Sequence, residues 1–314
     1  MQRVAFVFPG QGSQSVDMLA AFAGDPAVAG VLQRASDALG EDIGRMIAEG
    51  PAEQLELTVN TQPCLLAASF AIYAAWRAAG GPQPELMAGH SLGEYTALVA
   101  AGSISLQDAV PLVRFRAQVM QEAVAVGVGT MAAVLGLDDE RVVAACAQAA
   151  AESSGEVVEA VNFNAPSQVV IAGHRAAVAR ACEIAKGLGA KRAVTLAVSV
   201  PFHCSLLAPA AQRLRERLVA VPVQIPAVPV INNIDVQVQS DPERIRDALA
   251  RQAAGPVRWR QIVESMSERG IRHVIECGPG KVLSGLTRRI SPALNSLSVS
   301  DPSSLAQALD AVHA

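Results

Sequence analysis

Ser91 stands in Gly89-His90-Ser91-Leu92-Gly93, with a glycine two positions to either side, where an apolar strand predicted over 85–88 meets an Ala-rich helix. A serine on so sharp a strand-to-helix turn holds its hydroxyl out, and the free N–H groups at the helix start point toward any oxyanion forming beside it. The chemistry served is acyl transfer through an acyl-serine. The same residues also fit a plain strand-to-helix turn, because a short motif without structural context is only a hypothesis.

A serine nucleophile needs a base. His203, in Val200-Pro201-Phe202-His203-Cys204, falls at a tight turn after a strand. In a hydrolase elbow the acid lies between serine and histidine. The aspartates in that interval are Asp108 at a helix cap and Asp138-Asp139 at a helix start, and none ends a core strand. A third member of a triad would therefore be a backbone carbonyl or a side-chain amide. Gly10-Gln11-Gly12-Ser13-Gln14 offers the Gln11 N–H as an oxyanion donor and equally reads as an ordinary loop above a parallel sheet.

Arg116 is the other anomaly. Ser105-Leu106-Gln107-Asp108 has capping-box spacing, and the helix it opens is predicted to run to about 123, with a kink at Pro111. Ala109, Leu112, Val113 and Met120 share its apolar face with Arg116. A desolvated guanidinium calls for a carboxylate, which it binds bidentately. That carboxylate belongs either to a ligand or to an internal glutamate such as Glu94 or Glu122.

The elements that must position these residues alternate between strand and helix, the pattern of a parallel sheet covered on both faces. Strands are predicted at 3–8, 85–88, 229–232 and 273–276, and helices from Pro51, over 64–76 (introduced by Thr61-Gln62-Pro63), over 241–252 and over 301–314. Between them the order strand 131–135, helix 138–151, strand 157–161, strand 168–172, helix 175–188, strand 192–197 is the βαββαβ order of a ferredoxin-like unit. The expected organisation is a large domain of 1–127 and 199–314 with an inserted domain of 128–198.

Composition bounds the function. With 314 residues, 51% hydrophobic and 17% charged, the chain should form a compact soluble globule. The longest apolar stretch, 64–76, is too short to span a bilayer, and the N-terminal apolar run lacks the pattern of a signal peptide. A net charge of −4 and a pI near 5.8 argue against nucleic-acid binding. Five scattered cysteines without a Cys-x-x-Cys pair suit a reducing cytoplasm. No metal site, nicotinamide or other cofactor is expected: no His-Glu-x-x-His spacing occurs, Gly10-Gln11-Gly12 lacks a third glycine, and Val282 breaks a phosphate-loop pattern in Gly278-Pro279-Gly280-Lys281.

Taken together, these motifs, with Gln62-Pro63 and Asn162-Phe163-Asn164, closely resemble the malonyl-CoA:acyl carrier protein transacylase family along nearly the whole chain. The resemblance implies an α/β-hydrolase-like large domain carrying the ferredoxin-like insert. It implies Ser91 as nucleophile and His203 as general base and acid. The Gln252 backbone carbonyl would orient His203, the Gln11 and Leu92 amides would form the oxyanion hole, and Arg116 would hold the malonyl carboxylate. Asn164 would also bind substrate. Phe202 resembles the bulky residue with which related polyketide acyltransferases choose malonyl over methylmalonyl. The implied reaction is ping-pong transfer of malonyl from malonyl-CoA to the phosphopantetheine thiol of acyl carrier protein, loading fatty-acid synthesis, by a cytoplasmic monomer. A serine esterase or thioesterase would share the elbow but use water as acceptor, and the acyltransferase component of a malonate decarboxylase would share the motifs but serve another carrier. Docking of an acidic carrier on this mildly acidic chain requires a local patch. Arg175, Arg180, Lys186, Lys191 and Arg192 on the insert and Arg258, Arg260, Arg288 and Arg289 on the large domain are its candidates.

Overall fold

The computed structural model describes residues 3–198 and 200–313; Ser199, where the chain is expected to re-enter the large domain, lies outside them. Nine strands are described, β1 (Val4–Phe8), β2 (Leu86–Gly89), β3 (Gly129–Leu135), β4 (Val158–Ala165), β5 (Gln168–His174), β6 (Arg192–Thr195), β7 (Val230–Ile231), β8 (His273–Cys277) and β9 (Asn295–Val299). They form two sheets. The first has the order β7-β2-β1-β8-β9 and is parallel throughout. The second has the order β4-β5-β3-β6, is antiparallel throughout, and carries the helices Asp139–Glu152 and Arg175–Gly187.

The run Val-Ala-Phe-Val-Phe of β1 is buried at every position because helices cover both faces of the sheet. Val4, Phe6 and Phe8 enter one core and Ala5 and Val7 the other. One face of the antiparallel sheet packs on its two helices. From the other, Met131, Val161, Val170 and Ala172 pack on Cys204, with Phe202 against the same cluster. The open face of the second sheet thus grips the loop that bears His203.

Several expected boundaries move. The long apolar helix is Thr58–Ala78, so Pro63 lies inside it rather than introducing it. An interior proline forfeits the bond to the carbonyl four residues earlier and crowds that carbonyl, and the burial of Leu65, Leu66, Ile72 and Trp76 opposes that cost. The helix Leu106–Glu122 continues on both sides of Pro111. Strand β4 extends past 161 to Ala165 and takes in Asn162-Phe163-Asn164. No described helix is long and apolar enough to cross a membrane.

Candidate active site

The C-terminal ends of β1, β2 and β7 converge, the usual location of sites in parallel sheets. Phe8 pairs with Gly89, and Ser91 follows directly as N-cap of the helix Leu92–Ala100, with φ 53° and ψ −108°. Such a conformation costs a non-glycine residue about 1–3 kcal/mol and persists only where surroundings impose it. Here they do. A Cβ on Gly89 would lie 1.9 Å from the Gly93 carbonyl carbon, and one on Gly93 would lie 2.1 Å from the Phe8 oxygen. The two glycines are what let strand and helix approach closely enough to force the turn.

Ser91 Oγ lies 2.7 Å from His203 Nε2, and His203 Nδ1 lies 2.8 Å from the Gln252 backbone oxygen. A carbonyl can only accept, so Nδ1 carries the proton and Nε2 presents its lone pair to the serine hydroxyl. Burial, and then the nearby Arg116 cation, push the His203 pKa down to about 3. The imidazole is neutral, the form a base requires. His203 itself sits at φ 67°.

Arg116 is 1% exposed. Its Nη1 donates to Gln62 Oε1 at 2.9 Å, and its Nη2 to Gln252 Oε1 at 2.9 Å and to Ser91 Oγ at 3.2 Å, while the guanidinium lies 5.3 Å from the Tyr95 ring centroid. Neither internal glutamate forms an ion pair with it. Glu122 pairs with Arg213, and Glu94 accepts from Gln252 Nε2 and the Asn233 N–H. Two neutral amide oxygens and a hydroxyl therefore hold a full positive charge beside Ser91, and Nε has no acceptor. An anion brought there by a ligand meets an unneutralised cation.

A cavity of about 130 Å³ opens on this cluster, lined by Gln11, Gln62, His90, Ser91, Leu92, Arg116, Met131, Asn162, Leu196, Val198, Phe202 and His203. Among the described residues neither the Gln11 nor the Leu92 N–H has a protein acceptor, which leaves both free for an oxyanion. The structure brings together Ser91, His203, Gln252, Gln11, Leu92, Arg116 and Phe202. Asn164 departs from the expectation. Its Oδ1 is taken up by His90 Nε2 at 2.8 Å, and it is Asn162 that lines the cavity, with a buried Oδ1 lacking a partner. Register shifts between Ala160 and Asn162 and between Phe163 and Ala165 disturb the alternation by which the facing residue is counted.

Sequence offered Gln62 only within a family motif and Glu94 only as a possible ion-pair partner of Arg116, and it did not single out Asn233. Asn233 Oδ1 accepts from the Ser91 N–H at 2.7 Å, and its Nδ2 donates to the Gly89 oxygen at 2.7 Å. The available signals were a charge in the first turn of an otherwise apolar helix, for Glu94, and a polar pair ending an apolar strand, for Asn232-Asn233. Among the described residues no group of His, Cys, Asp and Glu is placed to hold a metal.

Residues 5–301 match the family model described as "Acyl transferase domain". The chain is 52% identical over 311 residues to the malonyl CoA-acyl carrier protein transacylase of Escherichia coli strain K12, covering 99% of this chain and 100% of that one. Its fold superposes with a TM-score of 0.96 on an acyl-carrier-protein S-malonyltransferase from Burkholderia pseudomallei, at 63% identity over 98% of this chain and 100% of the other. It superposes equally, at 49% identity over 99% and 100% of the chains, on a malonyl-transacylase solved in complex with a type II PKS acyl-carrier protein.

Proposed function

Because the chain belongs to the malonyl CoA-acyl carrier protein transacylase family, we propose that it moves malonyl from malonyl-CoA to the phosphopantetheine thiol of an acyl carrier protein, supplying fatty-acid synthesis through a malonyl-serine. The observation that carries this reading is a single hydroxyl shared between a neutral base and a buried cation: Ser91 Oγ touches both His203 Nε2 and Arg116 Nη2.

Ser91 Oγ attacks the thioester carbon as its proton passes to His203 Nε2. The Gln252 carbonyl, accepting from Nδ1–H, stabilises the imidazolium that forms. The carbonyl oxygen becomes an oxyanion facing the Gln11 and Leu92 N–H groups. On collapse the carbon–sulfur bond breaks, and coenzyme A leaves with the proton from His203. The carrier thiol then gives its proton to His203 and attacks the malonyl ester, and Ser91 recovers its proton as it departs. Arg116 holds the malonyl carboxylate, and Phe202 narrows the space beside the carbon that methylmalonyl would branch. No cofactor enters these steps. The topology of the second sheet, with its βαββαβ order, is read as a ferredoxin-like insert on an α/β-hydrolase-like large unit.

The acidic carrier needs cations free of internal acidic partners. Arg180, Lys186 and Arg260 are engaged by Glu152, Glu183 and Asp139. The exposed Arg175, Lys191, Arg192, Arg288 and Arg289, and the half-buried Arg258, form no ion pair among the described residues and are the candidates that remain. The deciding experiment is intact mass after incubation with malonyl-CoA and again after adding holo carrier protein. A malonyl adduct absent from Ser91→Ala, and discharged to the carrier thiol faster than to water, is expected. Adduct formation on Ser91→Ala, or discharge to water alone, refutes the reading.

A further inference from the structure

Gln252 does two separate jobs: its backbone oxygen faces His203, and its side chain sits between Arg116, Ser91 and Glu94. Both hydrogens of Nε2 are used, one on the Ser91 carbonyl at 2.9 Å and one on Glu94 Oε2 at 2.9 Å, which leaves Oε1 to accept from Arg116 Nη2 at 2.9 Å. Turned over, the amide would set its NH2 against the guanidinium and its oxygen against a carboxylate and a carbonyl. Glu94 is the charged group that makes the two orientations unequal, and it is fully inside, 2% exposed. The same Oε2 also accepts from the Asn233 N–H at 2.9 Å, and Asn233 in turn holds Ser91 N–H and Gly89 O.

Resting on the reading that Arg116 receives the malonyl carboxylate, we propose that Glu94 is a positioning residue that sets acyl selectivity: through the Gln252 amide it fixes where the Arg116 guanidinium stands relative to Ser91. A second arm, through Asn233, supports the elbow and serves every acyl group alike. The two arms predict different signatures. Loss of the Gln252 arm penalises an acyl group with a carboxylate and spares one without. Loss of the Asn233 arm slows both equally. The raised pKa of Glu94, about 7 under burial, is the cost of keeping a carboxylate here rather than an uncharged side chain, and its place in the first turn of the helix Leu92–Ala100 offsets part of that cost.

The test is the ratio of kcat/KM for malonyl-CoA to that for acetyl-CoA in the full-length enzyme, for the wild type, Glu94→Ala, Glu94→Gln, Asn233→Ala, Arg116→Ala and the Glu94→Ala/Arg116→Ala pair. Leaving a buried polar partner unmatched costs enough that Glu94→Ala should lower the ratio about tenfold or more. Glu94→Gln, which keeps an acceptor oxygen, should restore it to within about threefold of wild type. Asn233→Ala should lower both constants with the ratio held. The double variant should fall no lower in ratio than Arg116→Ala, since residues acting through one group are non-additive. If Arg116→Ala collapses the ratio while Glu94→Ala leaves it within about threefold, or if the two losses add, the proposal is overturned and the Arg116 assignment stands. If Arg116→Ala leaves the ratio unchanged, the assignment falls and takes the proposal with it. Should Glu94→Ala fail to fold, Gln252→Met, which keeps the carbonyl that faces His203, must show the same selective loss, and an unchanged ratio there overturns the proposal equally.

Discussion

The neutral, buried His203 makes a prediction that separates it from an ordinary histidine base. An imidazole with the usual pKa of 6.5 would be about 3% deprotonated at pH 5, so a rate that needs the free base would fall roughly thirtyfold between pH 8 and pH 5. With its pKa pushed down to about 3 by burial and by Arg116, His203 stays about 99% deprotonated at pH 5, and the rate should be flat. The assay is kcat/KM for acylation, which reports the free enzyme, by rapid quench and intact mass with the malonyl thioester of N-acetylcysteamine, whose lack of phosphate removes a titration from the substrate. Glu94, raised to about 7, is the group beside the site that titrates in this window, so the profile is repeated in Glu94→Gln. A descending acid limb centred near 6.5 that survives in Glu94→Gln would refute the buried neutral base. Arg116→Ala removes the second cause of the depression and should move any acid limb to higher pH.

Glu94 also links the fold to pH. Its folded pKa of about 7 lies above the ordinary 4.5, so the native state binds the extra proton, and the stability it supplies is full below 4.5 and lost as pH rises to 7, on the order of 3 kcal/mol. Thermal melts from pH 4.5 to 7 should show Glu94→Gln gaining on wild type as pH rises, and parallel curves would sink the claim. Gly93→Ala puts a methyl on the Phe8 carbonyl oxygen and should lose at least the ~1–3 kcal/mol of ordinary overpacking. Gly30→Ala, within the helix Pro26–Leu39 and with open space around its Cβ, should gain about 0.4–1 kcal/mol; the melting temperatures of both variants check this. Lys191→Glu with Arg192→Glu should slow transfer to the carrier more than loading from malonyl-CoA, and added salt should do the same to wild type; equal sensitivity of the two half-reactions places docking elsewhere.

What was legible in the chain were local anomalies. Glycines spaced around Ser91, a charge on the apolar stripe at Arg116 and a histidine against Pro201-Phe202 each break a nearby rule, and breaks of that kind cluster where function has overridden stability. Contacts across long separations were not legible from the residues alone. That the Gln252 oxygen would face His203, 49 positions away, came only through the family resemblance, and nothing in the chain pointed to Asn233 bonding Ser91 across 142 positions. That Asn162 lines the cavity while Asn164 bonds His90 was equally out of reach, because the register shifts within β4 leave no mark in the sequence. Strand β9, Asn-Ser-Leu-Ser-Val, escaped because its serines hide a short edge strand. The helix Ala208–Val219 escaped because its arginines interrupt the apolar pattern, although Leu214 and Leu218 are buried.

The cavity is built from two cores. Gln62 and Arg116, with Gln252 bonded behind the guanidinium, stand on helices of the parallel sheet, whereas Met131, Asn162, Leu196 and Val198 come from the antiparallel sheet and the segment after it. If Arg116 holds an acyl carboxylate as proposed, charge and bulk are read by separate units, and the space opposite can be enlarged by substitutions on the small sheet without replacing either amide that bonds the guanidinium.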